Sequence, residues 1–403
     1  MKLTTTPSVY FLLFSLFFTI TTSYSQIDSV NIPKIDVKYT NKGFQFKTSD
    51  DQFLLHIESR LQFRFATPGD QNPISYDEVY NDSQPVFKIN RARLKVGGHA
   101  FEPWLKYYWE YELSQGNLLD FRIMVEKWEF LKLKIGQWKT YYNRERVISS
   151  GKQQLVDRSI ITRPFTLDRQ QGMELFGRVF PGTSTDFNYN FSILTGAGRS
   201  ISENDDGNLM YVGRLQYNLF GRELGFIGSD LSFHEKFTGL IAVAGVTNTS
   251  KYTRFSQSGG GQLDGFEDGI SGQYRVKQAM LETAFMYRGF SWQNEFHIKE
   301  IYDHVNAETT NLKGAYFQAG YFLSNWSSFF PKPLEVAGRY TYYVPNTNFS
   351  NNLEEEYGLA FNWFFKGGHR NKLTTEFTYF NFEDQTGVLD NGLRFRVQWD
   401  ISL

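Results

Sequence analysis

The chain has 403 residues, of which 18% are aromatic, 21% are charged and none is cysteine, and its formal net charge is −1. Without cysteine it forms no disulfide and no thiolate metal site, and it cannot be a lipid-anchored lipoprotein. A net charge near zero predicts neither nucleic-acid binding nor a general attraction for anions, so only the placement of charge can matter.

The first 25 residues have the layout of a cleaved secretory signal. Lys2 precedes an apolar run over residues 9–20, and a short Ser- and Thr-rich stretch follows before Gln26. The run is too short to cross a bilayer as a helix, and no later segment has the roughly 18 uninterrupted apolar residues that such a helix requires. We expect residues 1–25 to be removed on export, and any later membrane span to be β.

Residues 26–52 precede the main pattern and contain a short strand or hairpin over residues 37–47. From residue 53 onward, sixteen segments have β character, and the first, residues 53–65, alternates between apolar and polar side chains from Leu55 to Phe65. A period of two indicates strands rather than helices. The other fifteen segments begin near residues 86, 104, 119, 130, 172, 185, 209, 237, 273, 289, 314, 333, 353, 371 and 391.

The connections between these segments alternate between long and short. The long, polar ones cover residues 66–85, 139–171, 197–208, 247–272 and 300–313. Outer-membrane barrels combine long outer loops with short periplasmic turns, and an even number of strands leaves both chain ends in the periplasm. Two connections on the short side, residues 219–236 and 323–332, are longer than this pattern predicts, which leaves a count that differs by one pair open.

The last eleven residues, 393–403, alternate without interruption and end on an apolar residue. A tilted strand of this length just crosses the hydrocarbon of a bilayer, and such an ending is typical of outer-membrane barrels. A water-soluble β-sandwich would also alternate. The signal, the sixteen segments and their aromatic faces favour an all-β fold, a 16-stranded antiparallel transmembrane β-barrel over residues 53–403 behind a periplasmic segment, residues 26–52.

Four stretches carry a family resemblance. They are FKINRARLKVGG at residues 87–98, WLKYYWEYEL at 104–113, LKIGQWK at 133–139 and AYFQAGYFL at 315–323. In these the chain resembles the phosphate-selective porin O and P family of Gram-negative outer membranes, in the style of a Bacteroidetes member. The resemblance implies a 16-stranded, usually trimeric barrel with a narrow, arginine-lined lumen that inward-folded loops constrict.

Seven cations are predicted to share one wall of the pore. In a closed barrel the last strand pairs with the first, so the sixteenth, first and second strands are neighbours. We expect their polar faces to form a basic stripe, since guanidinium groups replace several water contacts of phosphate or carboxylate. The alternative is ordinary lumenal charge that faces acidic residues. The stripe comprises Arg60, Arg64, Arg91, Arg93, Lys95, Arg394 and Arg396.

Two details of the neighbouring strands bear on the stripe. Phe87 and Ile89 have the same parity as Arg91, so the second strand needs a bulge or a late entry into the membrane. The third strand points Glu110 and Glu112 into the lumen, where they could pair with the stripe and weaken its hold on anions.

The third long loop, residues 139–171, has an excess of basic residues. If it folds into the barrel, as in general porins, it brings Arg144, Arg146, Arg158 or Arg163 opposite the stripe. Alternatively it is an exposed basic loop that contacts lipopolysaccharide phosphates or a neighbouring subunit. Acidic residues at 259–269 and the pair His297 and His304 lack the spacing of metal sites, and no catalytic order of Ser, His and Asn is found.

These patterns predict an outer-membrane porin, not an enzyme, that passes small hydrophilic solutes and prefers anions such as phosphate or polyphosphate. We expect a homotrimer in contact with outer-membrane lipid and lipopolysaccharide, with no cofactor, no metal and no nucleic acid. One alternative is a structural or assembly barrel of a secretion or adhesion complex, with a plugged lumen. Another is a channel for hydrophobic or sugar substrates.

Overall fold

The computed structural model describes residues 33–40, 42–79, 84–201, 203–256 and 260–403. The expected signal, residues 1–25, lies outside the described residues. Within them, no helix is both long enough and apolar enough to span a membrane.

Eighteen antiparallel strands, β1 to β18, account for most of the described chain. A hairpin, β1 and β2, precedes sixteen barrel strands. The ranges are β1 Ile35–Thr40, β2 Gly43–Thr48, β3 Phe53–Thr67, β4 Val86–Ala100, β5 Glu102–Glu112, β6 Asn117–Val125, β7 Lys132–Lys139, β8 Arg169–Val179, β9 Phe187–Leu194, β10 Met210–Asn218, β11 Thr238–Ser250, β12 Tyr274–Tyr287, β13 Phe290–Asp303, β14 Glu308–Phe322, β15 Leu334–Val344, β16 Glu354–Phe364, β17 Asn371–Glu383 and β18 Leu389–Ser402. The prediction of sixteen barrel strands is therefore confirmed.

The barrel closes between its last and first strands. β18 pairs with β3 from Ser402 opposite Arg60 to Phe395 opposite Thr67. Below that ladder, β2 takes the place of β18 as the neighbour of β3, with Phe44 opposite Ile57. Closure pairs every edge of the sixteen strands, which is the condition for a sheet in a bilayer, where unpaired backbone groups are costly.

Burial alternates along each strand with the predicted period of two. In β12, Leu281 is 45% exposed on the outer face, whereas Glu282, the next residue, is fully buried on the inner face. The outward apolar residues and the inward polar residues therefore follow the alternation seen in the sequence.

β4 contains the expected bulge. Gln62 of β3 is opposite Arg91, but Phe63 is opposite Ile89, so Asn90 is an extra residue in the ladder. The bulge reverses the parity of the strand, which exposes Phe87 and Ile89 on the outer face while Arg91 stays inside.

The third loop folds into the barrel rather than over its mouth. Between β7 and β8 it forms two short helices, α1 Arg144–Val147 and α2 Thr162–Phe165. Its Tyr142, Ile161 and Phe165 are almost fully buried in an apolar cluster that also includes inner residues of β10 to β14. The long turn between β10 and β11 also folds inward, and its Gly228 N donates to Lys152 O of the third loop at 3.2 Å.

Candidate functional site

Four fully buried glutamates on the barrel wall hold the third loop across the lumen. Each lies on a different strand, β13, β15, β16 or β17, and each accepts hydrogen bonds from the loop. Glu295 accepts from Asn143 Nδ2 at 2.9 Å and Glu145 N at 2.7 Å, Glu335 from Gln154 Nε2 at 2.8 Å, Glu356 from Ile160 N at 2.9 Å and Glu376 from Val156 N at 2.6 Å. Because each of these hydrogen bonds is buried and joins the loop to a different strand, the row fixes the loop in place.

On the opposite side, Asp157 of the third loop reaches the basic stripe. Its Oδ2 accepts from Arg64 Nη1 at 2.7 Å and from Arg396 Nη1 at 3.2 Å. Arg91 Nη2 lies 3.7 Å from Oδ1. Burial alone would raise the pKa of Asp157, but these three arginines hold it well below its usual range. Asp157 is therefore an ionised bridge between the loop and the wall.

All seven residues of the predicted stripe lie on the inner face of neighbouring strands, but the stripe divides into two groups. Arg64 and Arg396 bind Asp157, and Arg394 Nη1 donates to the carbonyls of Asp70 at 3.3 Å and Gln71 at 3.0 Å. These three hold loops. The other four, Arg60, Arg91, Arg93 and Lys95, line cavities.

The cavity-lining members of the stripe are partly neutralised. Arg93 donates to Glu110 at 2.9 Å and to Glu112 at 2.7 Å, which is the pairing that the sequence left open. Lys95 Nζ donates to Glu58 Oε1 at 2.5 Å. Paired charges attract a passing anion less than unpaired ones do, because their fields largely cancel.

The four predicted arginines of the third loop go to three different places. Arg146 and Arg158 face a cavity beside Arg91 and Arg93. Arg144 points away from the stripe and donates to the carbonyl of Gly225 at 2.6 Å, in the long turn between β10 and β11. Arg163 lies in a separate, acidic cavity.

The first cavity, called here the basic cavity, has a volume of about 420 Å³. Among its lining side chains, seven are basic and two, Glu112 and Asp168, are acidic. Among the described residues Arg158 has no carboxylate partner within hydrogen-bond distance. It donates to the backbone carbonyls of Glu145 at 2.9 Å and Ile148 at 2.8 Å. The basic residues are Arg91, Arg93, Lys139, Arg146, Arg158, Arg169 and Arg199.

The second cavity, the inner cavity, lies toward the end of the barrel where the short turns are, and has a volume of about 630 Å³. Its lining has ten basic and four acidic side chains. Lys139 and Arg169, which are opposite each other in the β7–β8 ladder, line both cavities and so mark the boundary between them. Arg169 is bound to Asp120 at 2.5 Å, whereas the side chain of Lys139 makes no hydrogen bond or ion pair with any described residue.

A third cavity, the acidic cavity, has a volume of about 650 Å³ and opens at the end of the barrel where the long loops are. Eight acidic side chains and one basic side chain, Arg163, line it. No sequence pattern indicated this cavity, because its acids come from several separate loops and strand ends. They are Asp77, Asp264, Glu267, Asp303, Glu308, Glu354, Glu383 and Asp384.

No group of three histidine or acidic side chains in the described residues is arranged to hold a metal ion. His297 is fully engaged elsewhere, with Nε2 at 2.9 Å from Glu295 and its ring stacked on Phe165 at 5.1 Å.

Comparison with known proteins identifies the family. The model of the phosphate-selective porin O and P family matches residues 68–217 and 256–391. No curated protein sequence matches the chain.

Solved structures share the fold at very low sequence identity. The anion-selective porin from Comamonas acidovorans is 10% identical with a TM-score of 0.52, over 86% of this chain and 98% of that one. The outer membrane channel DcaP of Acinetobacter baumannii is 10% identical with a TM-score of 0.56, over 89% and 99%. The trimer form of OmpT, an outer membrane protein of Vibrio cholerae, is 8% identical with a TM-score of 0.55, over 88% and 100%.

The fold and the family model agree, since both describe a closed barrel that forms a channel through the outer membrane. The chain belongs to the phosphate-selective porin O and P family.

Proposed function

We propose that this porin is a diffusion channel that prefers small anions, such as phosphate or polyphosphate, and that they pass along the β3 to β8 side of the lumen. One observation carries the proposal: the basic cavity and the inner cavity both have a large excess of cationic side chains, and they meet at Lys139 and Arg169. The other side of the lumen is filled by the third loop and its apolar cluster.

Lys139 is the side chain that we expect to contribute most to selectivity. No carboxylate of the described chain pairs with its amine, so no neighbouring acid offsets the attraction between Lys139 and an anion in the narrow lumen, where the effective dielectric constant is below that of water. Arg158, with carbonyl partners only, retains its net charge as well. A row of such weak sites lets an ion enter and leave again, so transport needs neither a cofactor nor an energy source.

The paired cations contribute in a second way. Arg93 and Arg169 each form ion pairs with two or more acidic side chains, so their guanidinium groups are fixed in position at the cavity walls. A fixed guanidinium can exchange water contacts for the oxygens of a phosphate without first being ordered. This gives a reason to expect phosphate to compete with chloride.

The reversal potential of single channels in planar bilayers under a potassium chloride gradient tests the proposal. We expect the wild-type channel to be anion selective, and Lys139→Gln to lower the anion-to-cation permeability ratio by roughly threefold, as loss of one unpaired lumenal charge predicts. Lys139→Arg is the matched control and should keep the ratio. Cation selectivity of the wild type would refute the proposal, and unchanged selectivity in Lys139→Gln would refute the assigned route.

We also propose that three copies associate. The trimer form of Vibrio cholerae OmpT supports this, since it is a barrel of the same fold. The broad apolar outer face offers surface for both lipid and subunit contacts. Chemical cross-linking in native outer membranes, read by electrophoresis, should give a trimer band, and a monomer alone would contradict the proposal.

A further inference from the structure

The acidic cavity is a separate feature that anion transport does not use. It is lined by the loops between β3 and β4, β11 and β12, β13 and β14, β15 and β16, and β17 and β18, together with α2 of the third loop. Leu263, Tyr274, Ile301 and Tyr343 connect its wall to the apolar cluster inside the barrel. It therefore has a packed wall on the barrel side and opens among the long loops.

Most of its carboxylates have no partner. Asp303 is bound by Gln273 and Asn306, and Asp384 by Thr386. The other six make no side-chain hydrogen bond or ion pair with any described residue. These are Asp77, Asp264, Glu267, Glu308, Glu354 and Glu383. An excess of unpaired negative charge around one cavity attracts cations.

Two deeply buried polar groups that line the cavity are also without partners. Glu354, the first residue of β16, is 9% exposed and lies opposite Tyr343 in the β15–β16 ladder. Tyr343 is 7% exposed, and its hydroxyl makes no hydrogen bond to the described chain. Both residues are mostly buried and line the cavity, so the Glu354 carboxylate and the Tyr343 hydroxyl are available to a ligand that enters it.

The arrangement selects the class of ligand. The carboxylates are spread around a cavity of about 650 Å³ and no three of those described converge on a point, as a metal ion would require. Aromatic rings alternate with them, since Tyr76, Phe266, Tyr274 and Phe349 also line the cavity. Carboxylates around aromatic faces suit protonated amines, which form ion pairs and cation–π contacts together.

We propose that the acidic cavity binds an organic polycation, a flexible molecule with several protonated amines, at the mouth of the channel. The amines would pair with Glu354, Asp264 and Glu267, and the aliphatic links would lie on the rings. Arg163 is the only cation in the described lining, and it opposes this binding. The site is independent of the proposed anion preference, because it lies on the other side of the third loop.

Titration calorimetry of the purified full-length chain in detergent with spermine tests this site. At low ionic strength we expect 1:1 binding, weakened about tenfold by Glu354→Gln and by Asp264→Asn, and strengthened by Arg163→Gln. Glu355→Gln is the matched control, because Glu355 is the next residue on the same strand but accepts from Tyr340 at 2.7 Å and Tyr357 at 3.0 Å on the outer face.

Three outcomes would overturn the site. They are equal spermine affinity in wild type, Glu354→Gln and Asp264→Asn, an equal loss in Glu355→Gln, and displacement of spermine by equimolar magnesium. Asp264 lies in a loop, so Asp264→Asn provides the test if Glu354→Gln does not fold. Reversal potentials measured in parallel separate this result from the anion preference, since either can fail alone.

Discussion

The basic and acidic cavities both border the third loop, yet their charges differ in kind as well as in sign. In the basic cavity most cations are already paired, as Arg93 is with Glu110 and Glu112. In the acidic cavity most carboxylates are unpaired. We therefore expect the number of charges to be a poor guide to selectivity. The residues without partners in the described chain, Lys139 on one side and Glu354 on the other, should matter more for the ions that each side attracts.

The third loop makes this difference possible. Arg146, Ser150 and Arg158 of the loop line the basic cavity. Ile160, Arg163 and Pro164 line the acidic one. Wall glutamates and Asp157 hold the loop between them. The loop therefore acts as a partition, and the route that ions take depends on which side of it stays open.

Charge reversal should have the largest effect. Lys139→Glu places an unpaired anion at the boundary of the basic and inner cavities, so we expect the reversal potential to change sign. Asp264→Lys makes a charge change of the same size in the acidic cavity and should leave selectivity nearly unchanged. If Asp264→Lys shifts the reversal potential more than Lys139→Glu does, the main route runs through the acidic cavity.

Detaching the third loop from the barrel wall should have the next largest effect on the channel. Asp157→Ala removes the contact between the third loop and the stripe, although Arg64 keeps Asp70 at 2.9 Å and Arg396 keeps Glu376. We expect higher and noisier single-channel conductance, together with protease cleavage within the third loop. Asp268→Asn, at an exposed loop position, is the control. A quiet channel of wild-type conductance in Asp157→Ala would show that the wall glutamates hold the loop unaided.

The sequence predicted the barrel well but the partition poorly, for physical reasons. Alternation is local, so the strand positions and the need for a bulge near Arg91 could be inferred from neighbouring residues alone. The partners of the third loop are remote, since Arg64 and Asp157 are 93 positions apart and Val156 and Glu376 are 220 apart. Each wall glutamate therefore resembled any other lumenal acid.

The surroundings of Lys139 and of the acidic loop residues also depend on remote parts of the chain, which the sequence pattern does not reveal. The sequence pattern places residue 139 at the start of the third long loop. That the side chain of Lys139 lacks a partner in the described chain depends on where Arg169 and its acids lie. Asp264 and Glu267 belong to the acidic stretch at residues 259–269, whose spacing matches no metal site. Their placement around a shared cavity with Glu354 depends on the fold of several other loops.

Acidification should have the smallest effect. The pKa of Asp157 is lowered in the folded protein, so its stabilising contribution is complete above its unfolded pKa of about 3.9 and is lost only as the pH falls through the lower folded value. Single-channel conductance should stay constant from neutral pH to about pH 4. An opening transition well above that pH in wild type, absent in Asp157→Asn, would contradict the ionised bridge.

The most direct test of the ion route uses the absence of cysteine from the chain. A single cysteine at Lys139→Cys can be modified by anionic or cationic thiol reagents while current is recorded. The account predicts that the anionic reagent reacts faster and changes the current, with the opposite preference at Asp264→Cys. Faster reaction with the cationic reagent at position 139, or modification there without any change in current, would contradict it.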